Sequence, residues 1–270
     1  MKNQQPIGFI DSGVGGLTVV KEVMKQLPNE NIIYLGDTAR CPYGPRSTEE
    51  VITFTWQMVD FLLKKDIKML VIACNTATAA ALESIKEKLL IPVVGVILPG
   101  TRAAVKATKN GRIGVIGTKG TVASGSYKRA IQEKVPEIKV ISLACPKFVS
   151  IVESNQYHTS VAKKIVSESL FSLRRQHLDT LILGCTHYPL LRPIIQNVMG
   201  ETVTLIDSGA ETIGEVSMLL DYFSIANKKN PQARRAFYTT GSTLLFNEIA
   251  NDWLAPENVD SKQVILGGEK

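Results

Sequence analysis

The sequence MLVIACNT at residues 69–76 is closely matched in residue type by LILGCTH at residues 181–187. Each stretch is a short apolar run that leads through a small residue to a cysteine and then to polar residues able to cap a helix. Such a run is typical of a buried parallel strand, which delivers its last side chain to a site. Because two equivalent strands end on Cys74 and Cys185, the sequence predicts two thiols that face each other across one ligand.

The first of these strands belongs to an alternation of strands and helices. Apolar runs bounded by turn residues predict strands near residues 7–10, 32–35, 69–73 and 93–97. Helical periodicity predicts helices at about residues 17–27, 49–65 and 77–89. Asn75 and Thr76 are suited to cap the last of these helices. This alternation indicates βαβ units and a parallel sheet.

The four strand patterns recur in the second half of the chain. In the same order, they match apolar runs that begin at residues 113, 140, 181 and 203, at a nearly constant offset of about 110 positions. One match could arise by chance, but four in order indicate a duplicated unit. The predicted fold class is therefore α/β, with two pseudo-symmetric open parallel-sheet domains that face each other across a central cleft.

The last segment, from residue 208 onward, has no counterpart in the first half. It contains a helical pattern near residues 211–223, a polar linker at 227–235, a possible strand at 236–240 and a helix at 243–253. We expect this tail to return and complete the first half. The expected first domain is residues 1–97 with 208–270, and the expected second domain is residues 98–207.

Composition favours an ordinary globular protein, with 270 residues of which 44% are hydrophobic and 21% charged. There is no apolar stretch long enough for a signal-peptide core or a membrane span, and the four cysteines are irregularly spaced. We therefore expect a cytoplasmic protein with reduced thiols. The net charge is +6, but the basic residues are scattered, so no nucleic-acid partner is expected. Without repeated Cys/His spacing, no metal site is expected either.

Polar residues at the carboxyl ends of the predicted strands form the candidate site, because open α/β sheets bind ligands there. The first half contributes Asp11, Ser12, Gly13, Asp37, residues 41–44, Cys74, Asn75 and Thr76. The second half contributes residues 117–121, Cys145, Glu153, Cys185, Thr186 and His187.

Two opposed thiols can invert a stereocentre without a cofactor. A thiolate removes a proton from one face of a carbon, and a thiol returns a proton to the other face. The unperturbed pKa of cysteine, about 8.5, needs only a modest shift to lie near neutral pH. We expect a helix N-terminus behind each cysteine to lower its pKa and favour the thiolate. Asp11 can lie near Cys74, and His187 is two residues from Cys185.

Each candidate also has a purely structural interpretation. A cysteine at a strand end is often only a small buried hydrophobic residue, and we keep that interpretation for Cys41 and Cys145, which lack a matched partner. Asp11 and Asp37 could cap turns, and His187 could support the site from outside it. The glycines near Asp11 have the wrong spacing for a dinucleotide-binding turn.

Six motifs together resemble those of the glutamate racemases. They are DSGVGGL at residues 11–17, DTARCPYG at 37–44, ACNTA at 73–77, GTKGT at 117–121, ACP at 144–146 and GCTHYP at 184–189. The resemblance implies cofactor-independent interconversion of L- and D-glutamate, which supplies D-glutamate for bacterial peptidoglycan.

The resemblance also implies residue roles. Cys74 and Cys185 are the expected catalytic acid/bases, with Asp11 assisting the first, His187 the second, and Glu153 on the second side. The expected substrate contacts are Asp11, Ser12, Tyr43, Gly44, Asn75, Thr76, Thr118, Thr121, Thr186 and His187. The expected partners are glutamate and a second copy of the chain in a homodimer, with no membrane.

Three other functions remain open at this point. Within the same architecture, the substrate could be aspartate or another acidic amino acid, because the length of the side-chain pocket cannot be read from sequence. Decarboxylation or one-base chemistry would need only one of the two cysteines. A solute-binding module closes on its ligand by a hinge motion but has no need for a thiol on each wall.

Overall fold

Two parallel β-sheets form the framework of the computed structural model, which describes residues 2–230 and 232–267. The strands are β1 (Ile7–Asp11), β2 (Ile32–Gly36), β3 (Met69–Ile72), β4 (Val93–Gly95), β5 (Arg112–Gly117), β6 (Lys139–Ala144), β7 (Thr180–Gly184), β8 (Thr204–Asp207), β9 (Arg235–Thr239) and β10 (Lys262–Gln263). The α-helices are α1 (Leu17–Gln26), α2 (Thr48–Leu63), α3 (Asn75–Lys88), α4 (Ile97–Ala107), α5 (Lys119–Ser124), α6 (Ser126–Lys134), α7 (Lys147–Glu153), α8 (Ser160–Arg174), α9 (Arg192–Met199), α10 (Ser208–Tyr222) and α11 (Thr243–Trp253). Short 3₁₀ helices span Lys2–Gln4 and Tyr188–Leu191.

The two sheets share one strand order. The first sheet runs β10-β9-β2-β1-β3-β4 and the second runs β6-β5-β7-β8, so the order β2-β1-β3-β4 is repeated as β6-β5-β7-β8. Every strand pairing in both sheets is parallel. Strands β1, β2, β3 and β7 are buried along their whole length, which explains their continuous apolar sequence. The predicted α/β fold with two facing parallel sheets is confirmed.

The largest hydrophobic cluster runs through both halves of the molecule. It joins Phe9 and Tyr34 of the first sheet to Phe148, Leu183 and Tyr188 of the second half. Helix α10 packs against both α1 and α4, and so it adds to this shared core. A common core of this kind holds the carboxyl ends of the two sheets together.

The tail adds its strand to the edge of the first sheet, where β9 pairs in parallel with β2. A buried ion pair fixes the chain leading into that strand. Lys68 Nζ lies 2.6 Å from Glu30 Oε2 and donates to the carbonyl of Ile225 at 2.8 Å, while the Asn227 amide donates to Glu30 Oε1 at 2.7 Å. The expected domain boundaries, between residues 97 and 98 and between 207 and 208, stay a prediction.

Strand β4 is shorter than the sequence indicates. The expected strand extends to residue 97, but β4 ends at Gly95 and α4 begins at Ile97. Apolar residues at 96 and 97 suit a buried strand end or a buried helix start equally well, so periodicity does not separate the two. No helix within the described residues combines the length and the hydrophobicity that crossing a lipid bilayer requires.

Candidate active site

The two cysteines that close the matched stretches are buried at the edge where the sheets meet. Cys74 lies two residues beyond β3, and Cys185 directly follows β7. Their relative exposures are only 5% and 6%, so the site between the halves is closed. The thiols are near enough that negative charge on Cys185 raises the pKa of Cys74. The burial and proximity of the two thiols agree with the predicted site, whose role stays a prediction.

Cys74 is itself the N-cap of α3, where the sequence suggested Asn75 or Thr76. The Ala77 amide donates to Cys74 Sγ at 3.5 Å, and the thiol donates to Ser12 Oγ at 3.6 Å. Burial and the charge of Asp11 nevertheless raise the pKa of Cys74 to about 12, although the contacts with Ala77 and Ser12 lower it. The sequence predicts that the start of α3 lowers the pKa of Cys74 enough to favour the thiolate. That prediction is wrong for the closed site, because desolvation raises the pKa by more than the helix lowers it.

Cys185 has a different neighbourhood. The chain continues into the 3₁₀ helix Tyr188–Leu191, so the expected α-helix N-terminus is not behind this cysteine. Pro189 lies in the first turn of that helix, and α9 starts only at Arg192. The polar neighbour of the thiol is instead His187, whose Nδ1 lies 3.6 Å from Cys185 Sγ.

The other ring nitrogen of His187 contacts Glu153 at the end of α7. Nε2 lies 2.6 Å from Glu153 Oε1. Burial lowers the pKa of His187, but its contacts with Cys185 and Glu153 outweigh burial and raise this pKa well above its ordinary value. Burial raises the pKa of Glu153, whereas the hydrogen bond and the charge of His187 bring it below its ordinary value. The pair therefore favours an imidazolium beside a carboxylate.

Asp11 joins the two halves at the end of β1. It is completely buried, and it accepts hydrogen bonds from the Gly13 amide at 3.0 Å and from Thr186 Oγ1 at 3.1 Å. Burial raises the pKa of Asp11 to about 6, although the charge of His187 and these hydrogen bonds act in the opposite direction. A carboxyl group with a pKa of about 6 therefore lies within hydrogen-bond distance of Thr186, the residue that follows Cys185.

A cluster of threonine hydroxyls closes the other side of the site. Thr76 Oγ1 lies 2.9 Å from Thr118 Oγ1 and 3.2 Å from Thr121 Oγ1. Beside it, the Gly120 amide donates to the carbonyl of Gly44 at 2.9 Å. These contacts join the loop after β2 and the start of α3 to the start of α5.

Tyr43 is buried and its hydroxyl donates to Asp37. Asp37 also accepts from Arg40 Nε at 2.7 Å and from Thr240 Oγ1 at 2.8 Å. These contacts fix the loop that carries Tyr43 and Gly44.

Asn75 leaves one hydrogen-bond donor unused. Its Oδ1 accepts from the Tyr127 hydroxyl at 2.7 Å, but its buried Nδ2 has no partner among the described residues. A buried amide N–H without a partner is costly and is the kind of group that a ligand oxygen satisfies. The site therefore has a free donor beside Cys74.

Comparison with known proteins identifies the family. A family model described as Asp/Glu/Hydantoin racemase matches residues 7–216. A glutamate racemase from Enterococcus faecalis is 70% identical over 271 residues, covering 100% of this chain and 99% of the relative. The chain belongs to the Asp/Glu/Hydantoin racemase family. The sequence resemblance to the glutamate racemases is confirmed, and the chain is an amino-acid racemase, an isomerase.

Solved structures of the family share the fold. A glutamate racemase isoform from Bacillus anthracis has a TM-score of 0.94 at 48% identity, covering 97% of this chain and 98% of that chain. A glutamate racemase from Francisella tularensis, solved in complex with D-glutamate, has a TM-score of 0.91 at 35% identity, with 97% and 98% covered.

The structure brings the sequence-predicted residues of this racemase into one region. Cys145 lies near enough to Cys185 that negative charge there raises its pKa, but its sulfur makes no hydrogen bond to the other predicted site residues, all of which the structure describes. The thiol of Cys145 points to the carbonyl of Leu143 at 3.9 Å, and its own carbonyl accepts from Tyr188. Sequence reasoning missed Tyr127, because nothing in an amphipathic helix marks the residue that reaches Asn75. It also gave no role to Cys41, whose Sγ lies 3.7 Å from Glu153 Oε1.

The charge state of Asp11 should affect stability. The folded pKa of about 6 lies above the ordinary 3.8, so the folded state loses stability relative to the unfolded state as pH rises through this window. Asp11→Asn removes this loss. The free energy of unfolding is measured with urea at pH 3.5 and at pH 7.5. Relative to the wild type, we expect that of the variant to be higher by about 3 kcal/mol more at pH 7.5 than at pH 3.5. Asp260→Asn changes an exposed carboxyl group and serves as the control. A gain for Asp11→Asn that does not change with pH would contradict the pKa of Asp11.

Gly15 lets the first half approach His187. A Cβ at this position would lie 2.5 Å from both His187 Nδ1 and Thr186 Oγ1. We expect Gly15→Ala to displace the ring and lower kcat/KM by about 100-fold, since a shift of about 1 Å can cost that much. Gly214→Ala, in α10 with no atom within 4 Å, is the matched control and should keep full activity. Equal activity of the two variants would show that the packing at Gly15 is not needed.

Proposed function

We propose that the chain interconverts L- and D-glutamate without a cofactor, using Cys74 and Cys185 as the two acid/bases. The observation that carries the proposal is the burial of these two thiols at equivalent strand ends in one closed site. The similarity to glutamate racemases, including one solved with D-glutamate, supports the choice of substrate. One thiol takes the α-proton while the other gives a proton to the opposite face of the same carbon.

The reaction needs one thiolate and one thiol at the same time, one on each side of the α-carbon. On the Cys185 side, the 2.6 Å contact with Glu153 stabilises the His187 imidazolium, and its Nδ1, 3.6 Å from Cys185 Sγ, can donate to a thiolate there. On the Cys74 side, the raised pKa keeps the thiol protonated until substrate replaces the groups that surround it. Asp11 beside Cys74 supplies the carboxylate that assists this second transfer.

Glutamate carries two carboxylates and one ammonium group, and the site offers partners for each. The free Nδ2 of Asn75 and the backbone amides at the start of α3 suit a carboxylate. Asp11 suits the ammonium group. The proposed substrate contacts are Asp11, Ser12, Tyr43, Gly44, Asn75, Thr76, Thr118, Thr121, Thr186 and His187.

Substrate entry requires the two halves to separate. Both thiols are nearly inaccessible in the closed site, and Thr76 contacts Thr118 directly across the cleft. The proposed first domain is residues 1–97 with 208–270 and the second is residues 98–207. The membership of β9 and β10 in the first sheet supports this division.

The proposed role is the supply of D-glutamate for peptidoglycan in the bacterial cytoplasm, by a homodimer. The family resemblance supports the role, and the absence of any disulfide among the four cysteines agrees with a reducing compartment.

For the dimer, α10 offers an apolar surface at its end. Met218 and Tyr222 are one turn apart and strongly exposed, and the Phe223 ring lies 5.0 Å from that of Tyr222.

Incubation of L-glutamate with the protein in D₂O, without added cofactor, tests the proposed reaction. We expect optical rotation to fall to zero while deuterium enters the α-carbon, because each proton transfer passes through an exchangeable thiol. L-aspartate in a parallel reaction should turn over far more slowly. Persistence of both the rotation and the α-proton of L-glutamate would reject racemisation, and faster turnover of L-aspartate would reassign the substrate.

Cys74→Ser and Cys185→Ser test the two-thiol mechanism. Each variant loses one acid/base, so we expect racemisation to fall by about 1,000-fold or more, within the usual contribution of such groups. Each remaining thiol should still exchange the α-proton of the one enantiomer that it faces, measured by NMR in D₂O. Cys145→Ser replaces a buried thiol whose sulfur contacts the Leu143 carbonyl, and this variant should remain active. Full turnover in either site variant would rule out a two-thiol reaction.

A further inference from the structure

Cys41 is a third thiol at the edge of the site. It lies in the loop after β2, on the first half of the molecule, yet its partner belongs to the second half. Cys41 Sγ donates to Glu153 Oε1 at 3.7 Å, within the range of a thiol hydrogen bond. The proposed reaction uses Cys74 and Cys185 and leaves this thiol without a task.

The acceptor of this hydrogen bond is the oxygen that also holds His187. Glu153 Oε1 lies 2.6 Å from His187 Nε2, and His187 Nδ1 lies 3.6 Å from Cys185 Sγ. A continuous series of hydrogen bonds therefore runs from Cys41 through Glu153 and His187 to Cys185.

The local packing makes room for this contact. A Cβ at Gly13 would lie 2.8 Å from Glu153 Oε1 and 3.0 Å from Cys41 Sγ. Any larger residue at position 13 would push the two groups apart. The hydrogen bond between Cys41 and Glu153 therefore depends on a glycine at the turn after β1.

The surroundings also keep Cys41 in the form that donates. Burial and the negative charges of Glu153 and Asp11 raise the pKa of the Cys41 thiol far above its ordinary value. A thiol that stays protonated cannot act as a base at neutral pH, but it can donate a hydrogen bond continuously. This excludes Cys41 as a third acid/base.

We propose that Cys41 is a positioning residue, whose thiol fixes the Glu153 carboxylate against His187 and thereby sets the imidazole beside Cys185. The inference rests on the proposed function, because it assigns His187 to the proton transfer at Cys185. Cys41 touches neither the substrate nor the reacting atoms. It acts across the cleft, so its hydrogen bond forms only when the two halves are closed.

Several ionisable groups lie close to the hydrogen bonds that link Cys41, Glu153 and His187. Their charges contribute to the pKa measured for Glu153. Around Cys41 and Glu153 they are His187, Asp11, Cys74, Cys185 and Tyr34, with Glu248 lining the same groove as Glu153. The Cys41 hydrogen bond lowers the pKa of Glu153. Removing that donor raises the pKa of Glu153, so its carboxylate becomes protonated at a higher pH. Once protonated, Glu153 no longer holds the His187 imidazolium by charge.

Cys41→Ala and Cys41→Ser separate the hydrogen bond from the space that the side chain fills. In Cys41→Ala we expect kcat/KM to fall about fivefold and the acid limb of its pH profile to move up by about 0.5 pH unit, the size expected for one weak hydrogen bond. Cys41→Ser keeps a donor and should restore both values towards the wild type. Cys145→Ala removes a buried thiol that contacts the Leu143 carbonyl instead of Glu153, and it should leave the acid limb in place.

A second readout does not depend on turnover. Carbon-13 NMR of the Glu153 carboxyl group should give a higher pKa in Cys41→Ala than in the wild type or in Cys41→Ser. An unchanged Glu153 titration in Cys41→Ala, or a Cys41→Ser variant that behaves like Cys41→Ala, would overturn the inference. Because the NMR titration needs no substrate, its failure is distinct from a failure of the racemisation test in D₂O.

Discussion

The Asp11 carboxyl group lies completely buried between the two parallel sheets, where it accepts hydrogen bonds from Gly13 on its own side and Thr186 on the other. Removing a carboxylate from water is costly unless partners compensate for the loss. The compensation here is partial, so the pKa of Asp11 rises to about 6. The same desolvation acts on Cys74 and His187, and closure of the two sheets therefore sets the proton affinities throughout the site.

The two walls of the site respond to this desolvation differently. Cys74 has a backbone amide and the Ser12 hydroxyl as its hydrogen-bond partners, so burial and the nearby charge of Asp11 dominate and the thiol holds its proton. Cys185 lies beside the His187 imidazolium, which Glu153 holds in place, so a hydrogen-bond donor faces this sulfur. The strand order is duplicated, but the residues after each strand are not. The proposed inversion needs unlike protonation states on its two sides, and this difference in neighbouring groups supports it.

Much of the fold is predictable because buried parallel strands are continuous apolar runs, and four such runs occur twice in order. The candidate residues after β1, β3 and β7 follow from the same fact, since the carboxyl ends of parallel strands share an edge. The protonation of Cys74 was not predictable, because a helix N-terminus is visible in sequence and the depth of burial is not. The 3₁₀ turn after Cys185 and the contact of Cys41 with Glu153, residues 112 positions apart, likewise depend on long-range packing.

Closure and catalysis are thus coupled through particular atoms. When the halves separate, Asp11 loses Thr186, Thr76 loses Thr118, and Cys41 loses Glu153, so three contacts of the closed site disappear together. Water then reaches the thiols and the carboxyl groups, and the desolvation that raised the pKa values of Asp11 and Cys74 is relieved. In the proposed reaction, glutamate therefore enters and leaves through a hydrated cleft. The raised pKa values of Asp11 and Cys74 belong to the closed form, in which the proposed proton transfers take place.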